Sequence, residues 1–556
     1  MEDVIVNYID NPLVKLLRKQ LDEQQLSRRD FVKYAALVGL SATAASEIAG
    51  LAAPNVAKAA DMPQGGVLRL GMRVPKLDDP HTFSWVYDSN IVRQVCGYLT
   101  RTRPDGITVP DLAAKWEASP DLKTWTFTMA DKKWHDGRPF TAEDAAWNIK
   151  HCLADETGSS VQGLMKGYML KEVDKGKKDD AGKTVMSTEI WDANAVVVKD
   201  AKTLVLNLKE PNVAVPEHLF HYPFLMLDPK ENGKFGVGSN GTGAFTLTAL
   251  EVGRKATLAA VKDGGAHLDG IEVMDFGDNP AANAAALQSK QIDGIYQGNA
   301  EQLDLYKAMA HVTIYDVVTA DTAVARMRPV KPFDDARVRK AVRLSTDCQK
   351  SLEIAQKGFG AVAEHHHVST VHPDYMKLPA MTRDVAAAKK LLAHAGYADG
   401  IDVEIVCKAD PTWESAAVQA MVEQWKEAGI RAKINVMPSA KYWDIWTTVP
   451  FSFTNWAHRP LGFMVLALAY RTGVPWNESG YSNAKFDQIL SKAEATLDVK
   501  ARAELIGQLE AIMQEDGPIV QPIWRNIFGA YSKQVQGFTM HPTAYIFGEN
   551  LAIAKA

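Results

Sequence analysis

From Val67 onward the apolar and polar positions follow two rhythms. Val67-Leu68-Arg69-Leu70-Gly71-Met72 and Trp125-Thr126-Phe127-Thr128-Met129 are short apolar-rich runs; the second alternates with period two, the mark of a strand with one buried face. Val196-Val197-Val198 and Leu204-Val205-Leu206-Asn207-Leu208 flank Lys199-Asp200-Ala201 and predict a hairpin over Ala195–Lys209. The second rhythm is helical. Thr141-Ala142-Glu143-Asp144 is a capping box, in which a hydroxyl and a carboxylate satisfy each other's free backbone N–H groups, opening a helix through Trp147 and Ile149. Asp334-Asp335 start a helix carrying Val338, Val342 and Leu344; Arg383–Ala395 forms another, closed by Gly396. Glu414–Ala428 ends at Gly429 and passes into the strand Ala432–Val436, and Asp498–Glu515 stops at Gly517-Pro518. Helix-then-strand units in this order predict an α/β architecture with helices covering mixed sheets.

The N-terminal segment has a different character. Ser27-Arg28-Arg29-Asp30-Phe31-Val32-Lys33 pairs two arginines ahead of a weakly apolar, alanine-rich run from Tyr34 to Ala53. This is the pattern of a twin-arginine export signal, with Arg28 and Arg29 as its recognition pair and Ala57-Lys58-Ala59 as a small-residue cleavage site. Residues 1–59 are therefore expected to be a signal peptide cut near residue 59, the chain being exported folded to the periplasm. Glu47 interrupts the run, making it a poor permanent membrane span, and no cysteine near the cut suggests a lipid anchor. About 497 residues follow, too many for one core, so two or three domains are expected.

Apolar residues make up 46% and charged residues 23%, as in ordinary soluble proteins. The formal charge of −5, without a basic stretch, argues against nucleic acid as a partner. Cys96, Cys152, Cys348 and Cys407 are far apart and read as buried small apolar residues. Gly236-Val237-Gly238-Ser239-Asn240-Gly241 matches G-x-G-x-x-G, but a turn precedes it and a strand follows. A dinucleotide's pyrophosphate needs a helix N-terminus at that place. The chain carries no phosphate-cradling loop, zinc-protease helix or nucleophile elbow, so no catalytic constellation and no cofactor are expected. Glu364-His365-His366-His367, with His372 beyond, offers His365 and His367 as weak metal candidates; a solvated or cleft-lining loop is the preferred reading.

Several blocks then occur in one order: Asp111-Leu112-Ala113-Ala114-Lys115-Trp116-Glu117, Trp134-His135-Asp136-Gly137-Arg138-Pro139-Phe140-Thr141-Ala142-Glu143-Asp144, Asn240-Gly241-Thr242-Gly243-Ala244-Phe245, Pro332-Phe333-Asp334-Asp335-Ala336-Arg337-Val338-Arg339, Ala387–Tyr397 and Tyr481–Asp487. From Leu70 almost to the C-terminus the chain resembles the extracytoplasmic solute-binding proteins of ABC importers, family 5, which includes dipeptide-, oligopeptide- and nickel-binding proteins. The resemblance implies an α/β, two-lobed periplasmic-binding-protein (Venus-flytrap) fold of the class II type with an extra subdomain on lobe I. Residues 60–96, 222–318 and 520–556 would form lobe I, 97–221 the extra subdomain and 319–519 lobe II. It also implies a monomer that captures a peptide or other small polar or anionic solute by lobe closure and delivers it to a membrane permease, without catalysis. A cofactor-bearing secreted enzyme and a chemosensory binder of the same fold are the alternatives.

The chain departs from the peptide-binding pattern at Phe453-Thr454-Asn455-Trp456-Ala457-His458-Arg459-Pro460. Peptide binders carry an aspartate three residues after the tryptophan, which pairs with the peptide's ammonium group; here that position is Arg459. A guanidinium repels a cation and suits a carboxylate or phosphate. Arg459 and Trp456 are therefore candidate ligand contacts, with Arg326 on the expected crossing strand. Trp85 and Tyr87, read as sharing one face of an extended segment, are candidates for stacking on the ligand. Arg337 and Arg339 read as helix-surface residues, and His135–Arg138 as a polar turn.

Overall fold

Two long antiparallel strands, Val312–Met327 and Ile519–Ser532, carry the architecture. In this computed structural model the described residues are 11–51, 62–178, 184–277 and 279–554. The two strands lie side by side in the middle of one eleven-stranded sheet. On one side the sheet continues through Gly294–Ile295, Val67–Gly71, Gly270–Met274, Lys255–Ala260 and Phe245–Glu251; on the other through Phe451–Trp456, Ile401–Lys408 and Ile430–Met437. These are the two lobes. The pairing of the long strands shifts register between Val317 and Asp321, and such a bulge bends the strands where they pass from one lobe to the other.

Local sequence accounts for most elements. Thr141 caps Ala142–Leu153 with the reciprocal Asp144 bond, Asp335 caps Ala336–Leu344, Asp498 caps Val499–Asp516, and Gly396 turns with φ +92° beyond Val385–His394. The glycine-rich stretch ahead of Phe245–Glu251 leads into no helix. Gly241 and Gly243 serve close packing instead: a Cβ on Gly241 would sit 2.0 Å from the Val95 carbonyl oxygen. The four cysteines are buried thiols. Arg337 is exposed and paired with Asp335, but Arg339 is buried, its guanidinium bonded to Asp516 and to the Phe333 carbonyl.

The stretch expected as an extra subdomain builds its own four-stranded sheet, ordered Ala113–Ala118, Thr124–Met129, Thr203–Asn207, Val196–Asp200, with helices Ala142–Leu153 and Val161–Met169. Its packing is not confined to the first lobe. Val213 N–H donates to the Glu494 carbonyl at 2.9 Å, Lys166 Nζ to the Thr472 carbonyl at 3.0 Å, and Gly163 lies against Leu468. The small residue at Gly163 lets the helix approach Gly462–Ala469.

The N-terminal segment is helical from Pro12 to Ile48 with breaks. Its apolar run is not one continuous stretch but belongs to the helices Arg28–Leu37 and Ala42–Ile48, preceded by Pro12–Asp22. Phe31, Tyr34, Ala35 and Leu37 are buried against the rest of the protein, while Arg28 and Arg29 are exposed. Among the described residues no helix is long and apolar enough to cross a membrane. The expected cut at Ala57–Ala59 lies outside the described residues.

Because Gly241 meets backbone rather than a movable side chain, Gly241→Ala is expected to destabilise the protein by about 1–3 kcal/mol. Denaturant melts should show a lower midpoint with an unchanged slope.

Candidate functional site

Three spaces share walls along the seam between the lobes. A cavity of ≈160 Å³ is lined by Arg73, Trp85, Tyr87, Tyr296, Lys408 and Trp443. Trp85, Trp443 and Asn455 also bound a narrow space of ≈20 Å³, together with Trp456, Arg459 and Trp476. Arg459 in turn lines a third cavity of ≈190 Å³ beside Val317 and Val318 of the first crossing strand. The seam thus holds a line of small chambers with an indole-walled constriction in the middle.

Trp85 and Tyr87, Trp456 and Arg459 converge on these chambers. The extended-strand reading of the first pair is corrected: Trp85 is the N-cap of the helix Val86–Val92, and Tyr87 lies in its first turn. Their rings nevertheless stack, with centroids 5.5 Å apart and planes 15° from parallel, and Trp443 meets Trp85 edge-on at 4.7 Å. Asp88, in the first turn of this helix, is buried, and burial pushes its carboxyl up to about 8 against a backbone N–H from Trp85.

Trp456 is fixed by its indole N–H, which donates to Glu478 Oε1 at 2.8 Å. Glu478 Oε2 accepts from Thr454 Oγ1 at 2.6 Å and from Arg326 Nε at 3.1 Å. This removes Arg326 from the ligand site. Its side chain is fully buried, and its other nitrogens donate to the carbonyls of Val449 and Trp446, so it braces the wall rather than lining a chamber.

Most cations of the cleft are paired with a carboxylate. Lys408 Nζ lies 2.7 Å from Glu414 and 4.7 Å from the Trp443 ring centroid; burial pushes Glu414 up to about 7 against the pull of that ammonium. Arg525 is 2.8 Å from Asp321 and lies 4.1 Å over Trp413. Arg73 meets Asp275 at 3.4 Å. Arg459 is different. It is 3% exposed, its Nη1 donates only to the nearby carbonyls of Ala457 and His458, and its Cζ lies 5.1 Å over the Tyr222 ring. Its Nε has no hydrogen-bond partner, and among the described residues no carboxylate oxygen comes within 4.0 Å of it. Burial holds the neighbouring His221 and His458 well below the usual imidazole range, so neither adds charge beside Arg459; Lys33, Arg103, Asp105 and Glu217 are the other charged residues of the third cavity.

The histidine run is neither solvated nor in the cleft. His365, His366 and His367 are buried, and His365 and His367 have left-handed backbone (φ 62° and 67°). That breaks the alternation assumed for an extended segment. His365 Nδ1 accepts from Gln521 N–H at 2.9 Å, and His367 Nδ1 meets Tyr470 Oη at 2.8 Å. Among the described residues no three His, Cys, Asp or Glu side chains gather to hold a metal ion.

Lys408, Trp443, Trp476 and Arg525 are the lining residues that sequence reasoning missed. Each lies in a segment whose local pattern reads as ordinary strand, helix or turn, and only the tertiary fold brings them together.

The match of residues 108–474 to the profile of the bacterial extracellular solute-binding proteins, family 5 (middle), decides the family. The chain belongs to it. The dipeptide-binding protein DppE of Bacillus subtilis (strain 168) is 26% identical to this chain over 497 residues, spanning 83% of this chain and 86% of that relative. Two solved structures share the fold. AgaA in complex with agropinic acid, from A.tumefacien R10, has a TM-score of 0.77 at 21% identity, covering 88% of this chain and 99% of its own. Haemophilus influenzae OppA in complex with RPPGFSPFR has a TM-score of 0.75 at 21% identity, covering 89% and 100%. Both are two-lobed, as this member of family 5 is.

Asp88 gives a pH test of the aromatic platform. Its folded value is raised above that of the unfolded chain, so its protonated form stabilises the fold at low pH, and that contribution is lost as pH rises from about 4 to about 8. Asp88→Asn should melt increasingly above the parent over that interval. Paired thermal melts at several pH values check this, and a constant difference would show that Asp88 does not titrate there.

Proposed function

We propose that this family 5 protein is the solute-binding component of an ABC importer, working in the periplasm. The solute is taken between the lobes, enclosed by their approach about the Val317–Asp321 bend and handed unchanged to the permease. Trp85 and Tyr87 form the stacking floor of the first chamber. Trp456, held by Glu478, and Arg459 form the constriction. The names of the relatives fit a range of cargo from dipeptides and oligopeptides to an opine acid. The observation that carries the ligand reading is Arg459: a buried cation on the ligand path without a carboxylate of its own is suited to an anionic or hydrogen-bond-accepting group on the solute. The chain acts as a monomer without a cofactor, and no reaction is assigned to it.

A thermal-shift screen of peptides, opines and sugar acids tests this, because a solute favouring the ligand-holding state raises stability by mass action. Arg459→Asp is expected to weaken an anionic solute by well over tenfold, read by calorimetric titration, since it places a second anion against a buried first one. An unchanged Kd would return Arg459 to the cleft wall.

We also propose export by the twin-arginine route. Arg28 and Arg29 stand exposed in the first turn of a helix capped by Ser27, where a receptor can reach them on an already folded chain. Replacing both with lysine should leave the protein in the cytoplasmic fraction. Unaltered periplasmic yield would point to another route.

A further inference from the structure

The solute-binding reading gives no role to residues 12–51, yet they are packed onto two stretches of the chain, the subdomain and the region from Asp374 to Arg502, which also touch each other. At one end, Gln20 Nε2 donates to Asp498 Oδ2 at 3.0 Å and Gln20 Oε1 accepts from Val499 N–H at 3.3 Å. Nearby the Tyr34 ring lies 4.5 Å from Arg502 Cζ, and Arg502 is paired with Asp374 at 3.0 Å. Both partners of that ion pair are fully buried. Asp374, Asp498 and Arg502 fall within the bounds 319–519 expected for the second lobe.

At the other end the segment is fastened to the subdomain. Trp116 Nε1 donates to the Leu37 carbonyl at 2.9 Å. Gly39 turns with φ +105° so close to that strand that a Cβ there would lie 2.4 Å from the Trp116 carbonyl oxygen. The Lys33 stem passes over Gly106, 3.2 Å from where a Cβ would stand.

Between these ends the segment walls the third cavity of the cleft. Lys33 and Leu37 line it from one side; His458 and Arg459, Val317 of the crossing strand and Thr543 line it from the other. We propose that residues 12–51 are an intramolecular strap: docked, it lies across the seam between the second lobe and the subdomain and covers the Arg459 end of the ligand path. Docking favours one lobe arrangement, so by linkage anything that separates the lobes must weaken the strap, and releasing the strap must ease their separation. A chain that keeps the strap is thereby slowed in taking up solute before it reaches its working compartment, and removal of the segment commits it to binding. The inference rests on the lobe-closing reading, but its test needs no solute.

Spin labels at Lys262→Cys on the first lobe and Lys433→Cys on the second, both exposed, report lobe separation in the full chain, where the native thiols are buried. Strap residues alone are then changed: Gly39→Val to release the subdomain end, or Gln20→Ala with Tyr34→Ala to release the second-lobe end. A strap needs both anchors, so either release should broaden and lengthen the label distances to the same extent. In a separate chain carrying only Thr543→Cys, either release should raise thiol labelling at least tenfold. Released variants, shown by new protease cleavage within residues 28–37, that keep the parent's distances and labelling rate overturn the strap. Lobes that stay at one fixed distance with the strap released, while Thr543→Cys becomes reactive, would instead count against lobe motion itself.

Discussion

The ladder of main-chain hydrogen bonds between Val312–Met327 and Ile519–Ser532 is the constraint on which the rest depends. One sheet runs through both lobes because these strands are long enough to belong to both. Continuous pairing alone would make the molecule rigid. The register shift between Val317 and Asp321 breaks the ladder at one place, and Val317 is also a wall of the cavity that reaches Arg459. Bending and ligand enclosure are therefore localised at the same few residues, which is what a hinge requires if small rotations are to open a cleft lined by side chains from both sides.

Buried charge makes the second lobe's wall specific. Glu478 is nearly inaccessible and accepts hydrogen bonds from Arg326, Thr454 and Trp456. A buried ion pair of this kind contributes little net stability compared with an apolar filling, but removing one partner is costly because the other is left uncompensated. Its structural effect is orientation. The strand Phe451–Trp456 is held to Arg326 on the neighbouring crossing strand, and the Trp456 indole is locked by its N–H. Arg326 thus bears on the chamber wall only through Glu478 and Trp456.

How much was legible in the sequence follows from the range of each interaction. Thr141 with Asp144, Asp335, Asp498 and Gly396 act within a few residues of themselves, so their helices could be placed at sight. The ordered blocks placed the two-lobed fold. Trp85 and Tyr87 were placed in the cleft for a partly mistaken reason, since a helix start rather than a strand brings their rings into register. Arg326 and the histidine run could not be judged locally. Both are decided by partners more than a hundred residues away, Glu478 for Arg326, Gln521 and Tyr470 for His365 and His367. Arg525 carried no local signal for the same reason, its partner being Asp321. The docking of Tyr34 on Arg502 joins positions nearly the whole chain apart, and no periodicity reports such a contact.

The distribution of charge along the cleft then bears on what it selects. Where Lys408, Arg525 and Arg73 line the wide chamber, each cation faces its own carboxylate. Those pairs offer hydrogen bonds and ring-stacked surfaces while giving a ligand's net charge little to act on. At the constriction the balance changes, because Arg459 faces the Tyr222 ring and backbone carbonyls instead. A carbonyl dipole or a ring face offsets part of a guanidinium's desolvation, but less than a carboxylate does. The remaining electrostatic demand is met most fully by an acceptor on the solute. On the proposed reading of Arg459, discrimination by charge is concentrated in the narrowest of the three spaces, and discrimination by shape in the aromatic chamber beside it. A cleft divided in this way can accept varied bodies while insisting on one kind of head group.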